Sequence, residues 1–304
     1  MTPAMHRAIQ PVTSHRSELG EGPLWSPDNQ SILWLDIIKG IIHEYYPESG
    51  TYRNLEAGEM IGAIAWCANG KLIAALQSGF AFIDRENGKI QRITDPESHL
   101  TNNRFNDGKC DPAGRFWAGT MHLEERPHAG NLYRMDPDLS VHLMIPKVSV
   151  SNGLAWHADG RKFYYIDSPT RLVKAFDFNP ETGDLSNPKD IIHFRETEGF
   201  PDGMTIDAEN KLWIAHWGGW QVSRWDPETG KKLLQIDLPV EKVTSCVFGG
   251  AELKDLYVTT ASIGLKDSEL NHQPFAGHLF VWPNCGFQGR AASVFRPEFS
   301  KQSS

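Results

Sequence analysis

The sequence predicts an all-β protein, a six-bladed β-propeller forming one domain over residues 1–304. Three observations carry this expectation. One pattern recurs at intervals of roughly 40 to 50 residues. A tight-turn signal sits at the same place in each copy, and no long segment has helical periodicity. The turns are Ser26-Pro27-Asp28-Asn29, Cys67-Ala68-Asn69-Gly70, Asp111-Pro112-Ala113-Gly114, His157-Ala158-Asp159-Gly160 and Asp207-Ala208-Glu209-Asn210. Asn, Asp and Gly tolerate the positive φ that hairpin turns require. A β-rich run follows each turn, at residues 32–37, 71–76, 115–120, 162–167 and 211–216. A looser sixth copy turns at Gly249-Gly250 and continues through residues 256–260.

Third strands are expected at residues 42–46, 81–84, 132–136, 172–178, 222–226 and 278–282. Several end in reverse turns such as Asn179-Pro180-Glu181-Thr182-Gly183 and Asp226-Pro227-Glu228-Thr229-Gly230. Short strands at regular spacing argue for an all-β fold, and six copies lie within the usual number of propeller blades. The residues before Ser17 are expected to add a strand to the last blade, closing the ring and removing a long exposed edge.

Composition supports one globular unit. Apolar residues make up 40% of the chain, enough to fill a core, and the ten tryptophans suit packing between stacked sheets. The net charge of -8 with no basic stripe argues against nucleic acid as a partner. Cys67, Cys110, Cys246 and Cys285 are scattered without metal-type spacing, so they read as free, buried thiols in a reducing compartment. The N-terminal residues lack the apolar run of a signal peptide, and no stretch has the length of a membrane span. The expectation is a cytoplasmic protein without a membrane partner. It would be a monomer or weak dimer, since a closed propeller needs no partner.

Aligning the copies on their turns isolates one position per blade. Equal steps back from Asn29, Gly70, Gly114, Gly160 and Asn210 lead to Glu21, Gly62, Asn106, Asn152 and Asp202. The sixth copy offers Ser245. These positions open the innermost strands, which line a propeller's channel. Two carboxylates facing one axis repel, and burial raises that cost. A cation removes the conflict, and hard divalent ions take carboxylate and amide oxygens. The ring of Glu21, Asn106, Asn152, Asp202 and Ser245 is therefore a candidate metal site, with Gly62 making room. The competing reading is a wet channel mouth lined by solvated polar residues.

The stretches Gly20-Glu21-Gly22-Pro23-Leu24-Trp25, Asn103-Arg104-Phe105-Asn106-Asp107-Gly108-Lys109, Ser151-Asn152-Gly153-Leu154, Pro201-Asp202-Gly203-Met204 and Cys246-Val247-Phe248-Gly249-Gly250 resemble the SMP-30/gluconolactonase family, also called the regucalcin family. The resemblance runs from about Leu19 to Trp282. It implies a six-bladed propeller holding one divalent metal: Ca²⁺ first, with Zn²⁺, Mn²⁺, Mg²⁺ or Fe²⁺ as alternatives. It places the metal ligands on Glu21, Asn152 and Asp202, and substrate contacts on Arg104 and Asn106. It adds Glu124 as a further substrate contact, with Glu125 as its rival. Residues 212–220 are similar to bacterial members that open sugar lactones.

The activity this implies is hydrolysis of a small aldonolactone, with gluconolactone, xylonolactone, arabinolactone and galactonolactone all open. Asp202 would act as general base as well as ligand, since a carboxylate beside the metal can take a proton from water. Arg104 could hold hydroxyls or a carboxylate with its forked donors. Asp107 reads as a turn or supporting hydrogen-bond residue. Trp217 and Trp220 are candidates for a sugar-stacking wall or for packing between blades, and His122 and His216 lie near strand ends. No G-x-S-x-G elbow supplies a serine nucleophile. Two other functions remain open: hydrolysis of another ester or an organophosphate on the same centre, and calcium binding without turnover.

Overall fold

The computed structural model describes residues 8–298. Residues 1–7 and 299–304, which the single-domain expectation includes, lie outside the described residues. Strands account for 53% of the described residues and helix for 4%, which makes the fold all-β. The strands form six four-stranded antiparallel sheets. The first strands of the sheets are Gly20–Ser26, Ile61–Trp66, Asn103–Cys110, Ser151–Trp156, Phe200–Ile206 and Val243–Gly249. Each touches the next, and the last touches the first, so they form a closed ring around an axis. The protein is a six-bladed β-propeller.

The ring closes with strands from both ends of the described chain. Gln10–Pro11 pairs with Phe280–Trp282 as the outermost strand of blade 6. A closed ring leaves no wide sheet edge to recruit another chain. The second strands fall where the turns place them, at Ser31–Asp36, Leu72–Leu76, Phe116–His122, Lys162–Asp167, Leu212–Trp217 and Asp255–Thr260. Their ends differ from the sequence expectation by no more than two residues, because tertiary pairing sets where a ladder stops. Helix is confined to Asp267–His272 and two short 3₁₀ turns among the described residues.

Packing between blades follows the aromatic residues. Trp34, Trp117 and Trp213 are fully buried, each on the second strand of a blade. In blades 3 and 5 the same device holds the indole. The turn aspartates Asp111 and Asp207 accept the Nε1–H of Trp117 at 3.0 Å and of Trp213 at 2.9 Å. Each aspartate also accepts two backbone N–H groups of its own turn and an arginine Nε–H. The turn residue that marks the repeat in the sequence thus anchors the core residue that follows it. All four cysteines are buried and free.

The C-terminal segment crosses the face where these turns lie. Gly289 bridges Asp207 in blade 5, and Arg290 Nη1 donates to the Trp156 carbonyl of blade 4. Phe295 then exchanges backbone hydrogen bonds with Trp66 and Ala68 beside blade 2. Residues 290–293 line one end of an axial cavity of about 100 Å³, whose walls come from the first strands of all six blades. The channel is therefore covered on this face, and the starts of the inner strands face the other.

Candidate functional site

Every inner strand breaks its pairing register near its start. The shifts fall between Glu21 and Leu24, Ile61 and Ala63, Phe105 and Asp107, Asn152 and Leu154, Pro201 and Met204, and Val243 and Ser245. A bulge interrupts the regular in-out alternation and re-aims the side chains around it. Opposite the first apolar residue of each second strand stand Trp25, Trp66, Cys110, Trp156, Ile206 and Phe248. Equal steps upstream of these lie Glu21, Gly62, Asn106, Asn152, Asp202 and Thr244. Five ring positions agree with the sequence alignment. The sixth is corrected from Ser245 to Thr244, because blade 6 has no clear turn residue to fix the count. Thr244 Oγ1 is already committed, donating to the Gly20 carbonyl at 2.6 Å.

Gly62 also gains a different reason. A Cβ there would lie 2.3 Å from both the carbonyl carbon and the carbonyl oxygen of Phe105. The glycine makes room for the neighbouring strand's backbone rather than for a ligand.

Hydrogen bonds tie the polar ring residues together across three blades. Arg104 Nη1 donates to Asn106 Oδ1 at 2.7 Å. Asn106 Nδ2 donates to the Ser151 carbonyl at 2.8 Å and to Asn152 Oδ1 at 3.2 Å. Asn152 Nδ2 donates to Ser168 Oγ at 2.8 Å, and that hydroxyl donates to the Pro201 carbonyl at 2.6 Å, one residue before Asp202. The chain fixes which way each amide points. Both Asn152 Nδ2 and Asn106 Nδ2 are used on protein partners, so the amide oxygens carry the remaining capacity.

The carboxylates are in the opposite state. Glu21, Asp107 and Asp202 are all buried. Among the described residues, Glu21 accepts only the N–H of Gly22, at 2.8 Å, and Asp107 only that of Gly108, at 2.7 Å. Asp202 has only the weaker pull of the Gly203 N–H, which acts against its burial. Burial and then the charge of Asp107 raise the Glu21 carboxyl to about 8. Burial, Glu21 and Asp107 together push Asp202 well above the ordinary carboxylate range. Burial lowers Arg104 to about 10, against the pull of Glu21, Glu125 and Asp202. No ion pair joins an axial carboxylate to Arg104 or Lys109 among the described residues.

The donor set fits a hard divalent cation. Concentrated negative charge without a cationic partner, next to oriented amide oxygens, is what such an ion neutralises. Among the described residues no group of three or more His, Cys, Asp and Glu side chains is arranged to hold a metal. An axial site would therefore draw its third donor from the amide of Asn152, with Glu21 and Asp202 as the carboxylates.

Other candidates divide. Glu124 is exposed and pairs with Arg126 at 2.8 Å, while its N–H donates to His122 Nδ1 at 3.0 Å. Neighbouring Glu125 is also exposed, and it is the one whose charge reaches Arg104. His216 is fully buried and committed to the Glu198 carbonyl and Ser223 Oγ, so it takes no part at the axis. Trp217 packs against the buried cluster that includes Leu19 and Ala261, with the Lys242 ammonium 5.1 Å from its ring centre. Trp220 is exposed.

Asp107 is not in a turn, one of the two roles the sequence offered for it. It lies in the inner strand just past the bulge and lines the axial cavity with Lys109. The bulge at Asn106 is the reason: it breaks the alternation, so Asn106 as well as Asp107 and Lys109 reaches the axis. The available signal was the run of polar residues from Asn106 to Lys109 inside a strand otherwise built for burial.

Comparisons with known proteins agree with the fold. A family model described as "SMP-30/Gluconolactonase/LRE-like region" matches residues 19–262. A Bacillus subtilis protein named "Putative sugar lactone lactonase YvrE" is 38% identical over 265 residues, 87% of this chain and 91% of that protein. Regucalcin of Danio rerio is 39% identical over 283 residues, covering 92% of this chain and 96% of the relative. The crystal structure of a calcium-binding protein, regucalcin, from Agrobacterium tumefaciens superposes with a TM-score of 0.90 at 27% identity, covering 95% and 97% of the two chains.

Proposed function

Because the chain belongs to the SMP-30/gluconolactonase/LRE-like family, we propose that it is a metal-dependent hydrolase that opens a sugar lactone to its sugar acid. The observation that carries this reading is the buried set Glu21, Asn152 and Asp202, whose carboxyls have no ion-pair partner among the described residues and whose amide is joined through Asn106 to Arg104. The likeness to the Bacillus subtilis relative supports a lactone as substrate. Pure ion binding needs neither Arg104 nor Asn106.

Glu21, Asn152 and Asp202 would hold one divalent ion, with Ca²⁺ the first choice. When bound, the ion supplies Lewis acidity at the lactone carbonyl and lowers the pKa of nearby water. Asp202, at the start of the blade 5 inner strand, accepts the proton of the attacking water. The water oxygen bonds to the carbonyl carbon as the C=O π pair moves onto the carbonyl oxygen, and that pair re-forms C=O on collapse. The ring C–O bond breaks, and its electron pair stays on the ring oxygen, which takes the proton back from Asp202. Asn106, held through its Nδ2, orients a substrate oxygen, and Arg104 holds hydroxyls or the new carboxylate with its free guanidinium nitrogens. Glu124 or Glu125 would reach the substrate from the loop that follows His122. The protein would act in the cytoplasm as a monomer or weak dimer. No helix among the described residues is long and apolar enough to cross a membrane.

The test is a panel of aldonolactones offered to metal-stripped protein, with Ca²⁺, Zn²⁺, Mn²⁺ and Mg²⁺ added back singly. Hydrolysis that returns with at least one ion is expected. An ion that binds, measured by calorimetry, with no turnover of any lactone would replace this reading with calcium binding alone, the property named for the Agrobacterium tumefaciens protein.

A further inference from the structure

We propose that Lys109 is a positioning residue that weakens the grip of the axial centre on its divalent ion. The inference rests on the reading of Glu21, Asn152 and Asp202 as the ion site. Lys109 lies on the blade 3 inner strand, in register with Trp117, and lines the axial cavity together with Asp107. Among the described residues its ammonium pairs with no acid. Nζ donates to the Met204 carbonyl at 2.6 Å, on the strand that carries Asp202. One contact therefore spans from blade 3 to blade 5 and holds a positive charge beneath the ring of donors. That charge is felt by Asp107 and by Glu21.

A fixed positive charge this close to Glu21 has two opposed effects. It eases the repulsion among Glu21, Asp107 and Asp202 when no ion is bound. It also repels any cation those carboxylates attract, and in a buried setting that repulsion is weakly screened. A divalent ion feels it twice over. Lys109 therefore lowers the affinity of the centre, whereas a residue needed only for packing would raise or maintain it. Replacing Lys109 separates the two roles by the sign of the change.

The experiment uses metal-stripped full-length protein and calorimetric titration with Ca²⁺ and with Mn²⁺. Lys109→Met keeps the apolar stem and removes both charge and donor. Lys109→Gln keeps a donor and removes the charge. Lys109→Arg keeps both. The expected result is tighter binding in the Met and Gln variants, by about tenfold or more, and parental affinity in the Arg variant. Circular dichroism reports folding for each. Should the Met variant fail to fold, the Gln variant decides. Unchanged or weaker binding in the neutral variants overturns the inference while leaving the ion site intact. A parent protein that binds neither ion overturns the ion site itself, before any Lys109 variant is compared.

Discussion

Buried carboxylates occur in this molecule in two states, one in the blade walls and one on the axis. Asp207 in the wall accepts two turn N–H groups, the Trp213 indole and Arg224 Nε. Glu97 is surrounded by neutral donors from Asn103, Thr120, Asn131 and Tyr133. Glu44 is shared by Ser31, Arg53 and Arg85. On the axis, among the described residues, Glu21 and Asp107 each hold a single N–H from the next residue, and Asp202 has only the weaker pull of the Gly203 N–H. Burial costs a carboxylate the same solvation in both places. In the walls the fold returns that cost through donors. On the axis it does not, and the difference marks which acids build the structure and which are kept for something outside the chain.

The contrast can be broken most sharply at Asp202. Asp202→Asn is expected to cut lactone turnover by roughly 10²- to 10⁴-fold, the usual range for losing a general base. In its metal-free form the variant should melt no lower than the parent, since it discards an unmatched buried charge. Steady-state kinetics and thermal melts read both effects. Full activity would show that Asp202 is not the base, and a lower melting point would mean its charge is matched after all.

The wall counterpart should behave the other way round. Asp207→Asn removes the buried acid of Arg224, which keeps only the exposed Glu209, and breaking a buried pair outright costs about 3–5 kcal/mol, the upper bound here. Urea denaturation measures the loss. Ion affinity in the surviving folded fraction should equal that of the parent. If Asp207→Asn instead altered ion binding at parental stability, the division between wall and axis would be wrong.

A smaller effect tests the wall state by pH. Burial pushes Glu198 up, but hydrogen bonds from Lys232 and Arg195 outweigh it and bring the carboxyl down to about 2. The unfolded carboxyl titrates near 4.5. The stability Glu198 contributes is therefore complete above 4.5 and is lost as pH falls toward 2. Glu198→Gln should flatten that part of the stability curve and leave neutral-pH ion binding unchanged. An acid limb identical in parent and variant would remove Glu198 from the wall group.

Much of this was legible in the chain itself. The turns at Asn29, Gly70, Gly114, Gly160 and Asn210 announced the blades because tight hairpins demand particular residues, and such demands are local. The ring positions Glu21, Asn106, Asn152 and Asp202 followed from the same spacing. Where the local signal weakened, the reading slipped by one residue, from Thr244 to Ser245. Glu124 lay in a loop whose course no periodicity constrains, and there the two neighbouring glutamates could not be separated.

The chain's own pattern thus determined the fold class, the blade count and the register of the axial polar residues, since hairpin chemistry and strand alternation act over a few neighbouring residues. Tertiary structure alone decided that each inner strand bulges near its start, that Asp107 and Lys109 reach the cavity, and that residues 290–293 cover its far end. Those outcomes depend on contacts between strands of different blades. A sequence read one segment at a time holds no record of which distant backbone will crowd Gly62 or accept the hydrogen bond of Lys109.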